Sequence, residues 1–245
     1  MNHTSANKNR KIEVCLSPSL LHLYPVKDSI VVVIDIFRAT SSICYGIDNG
    51  ATAIIPVDSV EACARYANKG YLLAAERNGE VVQGYDFGNS PYAYTKEKVA
   101  KQTIVLTTTN GTTAIQSAKD AKKIIIGSFL NLDSICHWLS EQTHDVLLLC
   151  SGWKNNFNLE DTLFAGAVVH QLENEFQSYC DASVAAKDLY VLAQNDVRTY
   201  LKKSSHNKRL QELNIEDDIL FCLQKNITHS IPVLQGERLV KMARD

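Results

Sequence analysis

Carboxylate and guanidinium side chains recur together in this chain just after short apolar runs, and that pairing is its first sign of chemistry. Asp35 follows Ile30-Val31-Val32-Val33-Ile34 and precedes Arg38, Thr40, Ser41 and Ser42. A carboxylate at the end of an apolar run is costly to bury unless a cation or a hydrogen-bond donor meets it. Arg38 brings a planar donor fork, and Thr40 and Ser41 open a helix whose free N–H groups attract anions. A local explanation competes, in which Arg38 neutralises Asp35 and Thr40 caps the helix. A second cluster, Ala74-Ala75-Glu76-Arg77-Asn78-Gly79, repeats the pairing.

Three more clusters follow apolar runs or turns. Gly84-Tyr85-Asp86-Phe87-Gly88-Asn89-Ser90-Pro91 is an irregular turn of the kind that arranges backbone N–H groups around a ligand. In Thr107-Thr108-Thr109-Asn110-Gly111-Thr112-Thr113, six of seven residues carry a polar side-chain group. Gly111 permits close backbone approach, so the stretch resembles an oxyanion cradle, without the lysine of a P-loop. The last cluster joins Cys150-Ser151-Gly152 to Asn158-Leu159-Glu160-Asp161-Thr162. Glu160 and Asp161 fall in a first helical turn, where the helix dipole alone favours acids. An adjacent acidic pair at a strand-to-helix crossing also suits a hard divalent ion. Together the five clusters fit a small anionic, phosphorylated substrate whose charge is neutralised by Mg2+.

Positioning such residues requires strands that end where the clusters begin. The candidate strands are Ile12–Leu16, Ile30–Asp35, Ala53–Val57, Tyr71–Ala75, Thr103–Thr107, Lys123–Ile126 and Val146–Cys150, with a last one at Ile231–Leu234. Helical segments alternate with them at Thr40–Asn49, Ser59–Asn68, Thr112–Ala118, Asn131–Glu141 and Leu159–Ser178, and the chain beyond Asp181 reads as mainly helical. Fully apolar strands imply cover on both faces, so the expected fold is a three-layer α/β/α architecture with a largely parallel or mixed sheet. In such sheets ligands bind beyond the carboxyl ends of the strands. A weak repeat aligns residues 33–43 with 105–115, within the longer segments 30–58 and 102–128, and two such units can face one another across a shared site. No linker divides residues 11–245, which read as one unit, and residues 1–10 read as a polar, frayed tail.

Composition narrows the function classes. With 25 Lys+Arg against 27 Asp+Glu the net charge is −2, which gives no argument for nucleic acid or an anionic membrane as partner. No apolar run approaches the ~18 residues of a membrane span, and the N-terminal residues are not a secretory signal, so the expected location is the cytoplasm. The seven cysteines show no CxxC spacing and read as small buried hydrophobes. Cys150 lacks the Cx5R spacing of a cysteine phosphatase, since Asn156 lies six positions on. None of the seven histidines falls in the five clusters, so none is expected in the site.

The strings Val33-Ile34-Asp35-Ile36-Phe37-Arg38-Ala39-Thr40-Ser41, Ala75-Glu76-Arg77-Asn78-Gly79, Gly84-Tyr85-Asp86-Phe87-Gly88-Asn89-Ser90-Pro91, Thr107-Thr108-Thr109-Asn110-Gly111-Thr112 and Leu159-Glu160-Asp161-Thr162, in this order, resemble the 2-phosphosulfolactate phosphatase (ComB) family. The resemblance implies a Mg2+-dependent hydrolase that converts 2-phospho-3-sulfolactate to 3-sulfolactate and phosphate, a step on one route to coenzyme M. Two positions depart from the expected pattern: Thr113 stands where an Arg follows the Asn-Gly-Thr triplet, and Lys154–Asn158 replaces a Gly-Arg/Lys-Phe-Ser type of run.

On this basis Asp35, Arg38, Glu76 and Asp161 are the expected catalytic residues. Asp35, Glu76 and Asp161 are the first Mg2+ ligands, with Glu160 and Asp86 in reserve. Arg38 and Arg77 would clamp phosphate or sulfonate oxygens, and Thr40, Ser41, Asn89, Ser90, Asn110, Gly111 and Thr112 would supply hydroxyl, amide and backbone donors. In-line attack on phosphorus would come from a metal-activated water or from Asp35 through an aspartyl-phosphate. Two other readings stand beside this one: a phosphatase for another phosphorylated 2-hydroxy acid, and a non-catalytic sensor of a phosphorylated or sulfonated metabolite. A homodimer is the commonest assembly for soluble enzymes of this kind.

Overall fold

The computed structural model describes residues 10–213 and 215–243. The β-branched runs form strands in chain order: β1 (Ile12–Cys15), β2 (Ile30–Ile34), β3 (Ala53–Pro56), β4 (Leu72–Arg77), β5 (Glu80–Val81), β6 (Thr103–Thr107), β7 (Lys123–Gly127), β8 (Val146–Cys150), β9 (Pro232–Gln235) and β10 (Arg238–Lys241). Helices fill the intervals: α1 (Ala39–Asp48), α2 (Val60–Ala64), α3 (Lys96–Val99), α4 (Gly111–Ser117), α5 (Leu132–Ser140), α6 (Leu159–Gln171), α7 (Asp181–Ala193), α8 (Val197–Leu201), α9 (Ser205–Glu212) and α10 (Glu216–Cys222). No helix among the described residues is long and apolar enough to cross a membrane.

The strands form one mixed sheet in the order β1-β8-β2-β7-β9-β10-β3-β6-β4-β5. β1, β8, β2 and β7 are mutually parallel, and so are β3, β6 and β4. Three successive antiparallel pairings, β7 with β9, β9 with β10 and β10 with β3, separate the two groups, so the groups run in opposite directions. The β9–β10 hairpin is therefore the bridge between them. It turns at Gly236, whose φ of +59° falls in the left-handed region that favours glycine.

Alternation along the strands distributes the core. Ile30, Val32 and Ile34 face a cluster built with α5, α6 and α7, while Val31 and Val33 face α1 and α4 through Ile43, Cys44, Ala114 and Ile115. In the second group, Ile54, Ile104 and Leu106 join that same α1/α4 cluster, and Ile55 and Val105 pack with Cys63 of α2 on the opposite face. This is the expected three-layer arrangement, with α1 and α4 shared by both groups. α1 carries the chain from β2 to β3, and α4 carries it from β6 to β7, so each crosses from one parallel group to the other. Their first residues meet: a Cβ on Gly111 would lie 2.6 Å from the Cβ of Ala39.

Some boundaries differ from the sequence expectation. α6 ends at Gln171 rather than continuing to Ser178. Glu173 and Glu175 sit badly with the negative end of a helix, and the backbone beyond them pairs with the N-terminal strand instead: the Ile12 N–H donates to the Gln177 carbonyl (3.0 Å) and the Gln177 N–H to that of Arg10 (2.8 Å). Of the expected N-terminal tail only Arg10 lies within the described residues. It is buried, stacked 4.3 Å over the Phe176 ring, with its guanidinium donating to the Ser140 and Glu175 carbonyls. Strand β10 carries no apolar run in the sequence, because Glu237 and Arg238 break the pattern.

Gly166 lets α6 and α7 touch, since a Cβ there would overlap the Ala186 carbonyl group. Gly166→Ala should therefore lower stability by about 1–3 kcal/mol despite alanine's better helix propensity. Urea unfolding checks this, and an unchanged or raised midpoint would show that α7 yields freely.

Candidate functional site

Asp161, in the first turn of α6, organises the ends of β2 and β8. Its Oδ1 accepts the Ile36 N–H (2.9 Å), and its Oδ2 accepts the Gly152 N–H (3.1 Å) and the Asn158 side-chain amide (3.0 Å). The turn after β2 is closed internally. The Thr40 hydroxyl donates to the Asp35 carbonyl (2.9 Å) and lies 3.0 Å from the Asp35 N–H, and the Ser41 hydroxyl donates to the Ile36 carbonyl (3.0 Å). After β6 the pattern recurs, with the Thr112 hydroxyl donating to the Thr108 carbonyl at 3.0 Å. Thr40, Ser41 and Thr112 are all fully buried. Their hydroxyls hold the turns and do not line the cleft expected to take the anion.

Glu76, at the end of β4, is held across to the end of β6. Its Oε1 accepts the Gly79 N–H (2.5 Å), and its Oε2 accepts the Thr109 N–H (3.1 Å). The adjacent Arg77 donates to the Glu76 carbonyl (2.6 Å) and to the Thr107 hydroxyl (3.0 Å), which fixes the strand ends and keeps its guanidinium out of the cleft lining. Arg38 does line the cleft. It forms a buried ion pair with Asp218 of α10 and donates to the Gly79 carbonyl (2.6 Å), while the Ser90 hydroxyl donates to the other Asp218 oxygen (2.7 Å). Ser90 therefore serves Asp218, on the far side of Arg38. Asn89 lines the cleft, and its side-chain oxygen is buried without a partner among the described residues. Asn110 lines it too, its side-chain oxygen accepting the Lys154 N–H at 3.0 Å. Gly111 lies behind the lining, where a Cβ would stand 2.7 Å from an Asp35 oxygen.

The cleft encloses about 340 Å³ and brings Asp35, Glu76, Arg38, Asn89 and Asn110 together with residues that the five clusters left out, chiefly Trp153, Lys154, His206 and Arg209. His206 and Arg209 are three apart on α9 and so share a face. Both pack on Trp153: the His206 ring centroid lies 5.0 Å from the indole, and the Arg209 guanidinium lies 4.7 Å from it. His206 is also hydrogen-bonded through Nδ1 to Glu160. The expectation that no histidine belongs to the site is thus corrected. The one available signal was the spacing His206-x-x-Arg209 on an otherwise polar helix; nothing local ties that helix to Glu160.

Burial dominates the electrostatics. The Asp35 carboxyl is pushed up to about 7 by loss of solvent, with the charges of Glu76 and Glu160 adding to the rise and His206 opposing it. Asp161 is raised as well, by burial first and then by Asp35 and Glu160. Burial also lifts the Cys150 thiol well above its ordinary value, which fits its reading as a core residue.

The donor set sorts the expected metal ligands. Among the described residues no three His, Cys, Asp or Glu side chains are grouped closely enough to hold a metal by themselves. Asp35 and Glu76 line the cleft, and two carboxylates completed by substrate oxygens and water are how Mg2+ is usually bound. Asp161, which accepts three N–H donors, does not line the cleft; neither does Glu160, which faces His206, nor Asp86, which accepts the Leu73 N–H (2.7 Å).

A sequence model of the family described as 2-phosphosulpholactate phosphatase matches residues 15–237. Among curated relatives, a protein of Thermotoga petrophila is 41% identical over 210 residues, covering 86% of this chain and 91% of its own. One of Clostridium novyi is 36% identical over 236 residues, covering 94% and 100%. One of Caldanaerobacter subterraneus is 36% identical over 226 residues, covering 90% and 93%. All three are named probable 2-phosphosulfolactate phosphatase.

The raised Asp35 carboxyl has a sign that stability measurements can read. Between about pH 4 and 7 the unfolded chain releases this proton while the folded chain keeps it, so the group costs stability increasingly as pH rises. In EDTA, Asp35→Asn should melt higher than the parent at pH 8, by about 4–8 °C for a cost on the order of 2 kcal/mol, and equally at pH 4. A variant that melts lower at pH 8 would mean that Asp35 is stabilised as its anion.

Proposed function

Because this chain belongs to the 2-phosphosulpholactate phosphatase family, we propose that it hydrolyses 2-phospho-3-sulfolactate to 3-sulfolactate and phosphate with the aid of Mg2+. The observation that carries this reading is the charge pattern of the cleft, in which the buried Asp35 and Glu76 carboxylates and the exposed Glu212 share about 340 Å³ with Arg38, Lys154 and Arg209. Such a space suits a small carboxylic acid that also bears a phosphate and a sulfonate. The carboxylates supply a place for a cation, and the cations supply partners for phosphate and sulfonate oxygens.

Asp35 and Glu76 would hold Mg2+, which when bound neutralises phosphate charge. Arg38, already fixed by Asp218 and Gly79, presents a pre-oriented guanidinium and loses little freedom on meeting an anion. Arg209 makes no hydrogen bond to another described residue and is steadied only by stacking on Trp153, so its donors remain free for the second anionic group. Asp35 supplies a carboxylate to the attack on phosphorus, as the nucleophile itself or as the base for a water.

Phosphate release from 2-phospho-3-sulfolactate and from 2-phospholactate, each with Mg2+ and with EDTA, tests the reading. Turnover that needs Mg2+ and favours the sulfonate is expected, and Asp35→Asn should lose more than ~10²-fold in kcat with its fold intact. Turnover of phospholactate alone would reassign the enzyme to another phosphorylated 2-hydroxy acid. Binding without turnover of either would make the protein a sensor.

A further inference from the structure

A secondary alkoxide departs poorly from phosphorus without a proton, and the residues placed so far supply the attack and the anion contacts but no acid for the departure. We infer that His206 is that acid, donating from Nε2 to the ester oxygen, and that Glu160 is its positioning residue. The inference rests on the phosphatase reading and assigns a further catalytic group within the same cleft.

The geometry is that of a carboxylate-oriented imidazole. Nδ1 of His206 is hydrogen-bonded to Oε1 of Glu160, and the ring lines the cleft with Asp35 and Glu76. Nε2 has no hydrogen-bond partner among the described residues. With Nδ1 fixed on a carboxylate, Nε2 is the atom left to face a ligand, in the manner by which such pairs define the working nitrogen of a histidine. Trp153 lies against the ring and Phe37 meets its edge, with centroids 6.1 Å apart, so the imidazole has little freedom to swing away.

Glu160 is the more telling partner. It is fully buried, its Oε1 meets only His206, and its Oε2 has no partner among the described residues. A buried carboxylate with a single compensating group is a poor way to gain stability, because well-packed apolar residues would do as well or better. What the arrangement does accomplish is to hold one imidazole in one orientation beside the cleft. The placement is also one that cluster-by-cluster reading could not have produced, since 46 residues separate the two side chains.

The bond from phosphorus to the C2 oxygen breaks, and its electron pair stays on that oxygen, which takes the Nε2 proton to become the hydroxyl of 3-sulfolactate. A new P–O bond forms to the attacking oxygen, and the proton of the attacking water passes to solvent, from which the imidazole is recharged. Overall, one water is consumed and one phosphate is released.

Leaving-group dependence tests the proposal. His206→Gln should lose about 10²–10⁴-fold in kcat on 2-phospho-3-sulfolactate. On acetyl phosphate, whose acetate leaves without a proton, the loss should stay within about tenfold. Retained turnover of acetyl phosphate would itself show that the variant folds. Glu160→Gln should show a smaller loss with the same substrate selectivity. A second readout uses 2-phospho-3-sulfolactate alone: kcat should fall with KM held within about threefold. Equal losses on both substrates, no loss on either, or a raised KM at unchanged kcat would each overturn the acid role while leaving the phosphatase reading intact. Wild-type protein that releases no phosphate from either compound would instead remove the reading on which the proposal stands.

Discussion

One carboxylate holds this site together. Asp161 accepts the Ile36 N–H, the Gly152 N–H and the Asn158 amide, and so locks the ends of β2 and β8 to the start of α6. Everything that faces the cleft from that side inherits its position from this knot. Asp35 precedes Ile36, Trp153 follows Gly152, and Glu160 shares the first turn of α6 with Asp161. Charge burial on this scale is unfavourable in itself. The fold tolerates it because backbone N–H groups at two strand ends and the Asn158 side-chain amide at the helix start all point at it, so the carboxylate and its donors satisfy one another.

Glu76 does the same for the other parallel group, tying β4 to the loop after β6 through Gly79 and Thr109. The cleft is the gap between these two carboxylate-centred knots. Its cationic side comes from elsewhere: Arg38 is held by Asp218 of α10, and Arg209 is steadied by stacking on Trp153. The acidic wall is thus rigid and built from strand ends, whereas much of the basic wall is contributed or secured by the helices after α7.

This division explains what the amino-acid sequence could disclose. Apolar strands such as Ile30–Ile34 and Thr103–Thr107 announce themselves, because burial on both faces demands an unbroken run. The carboxylates that follow them are visible for the same reason, being polar where polarity is costly. Hydroxyls mislead, since Thr40, Ser41 and Thr112 look like ligand donors and are used up closing their own turns. Arg77 misleads likewise: proximity to Glu76 in sequence said nothing of where its guanidinium would turn. The pairing of His206 with Glu160 and the opposed directions of the two strand groups are long-range facts. They are set by which helices meet and by where a short C-terminal hairpin inserts, and no local pattern encodes either.

That hairpin has a consequence for biosynthesis. Among the described strands β9 and β10 come last in sequence, yet they occupy the centre of the sheet, between β7 and β3. While the ribosome is still adding residues 232–241, both parallel groups present an unpaired inner edge, and bare strand edges are adhesive. Asp35 and Glu76 stand on opposite sides of that seam. The nascent polypeptide thus carries its two halves of chemistry on separate, sticky platforms, and this late hairpin turns them into a single enzyme.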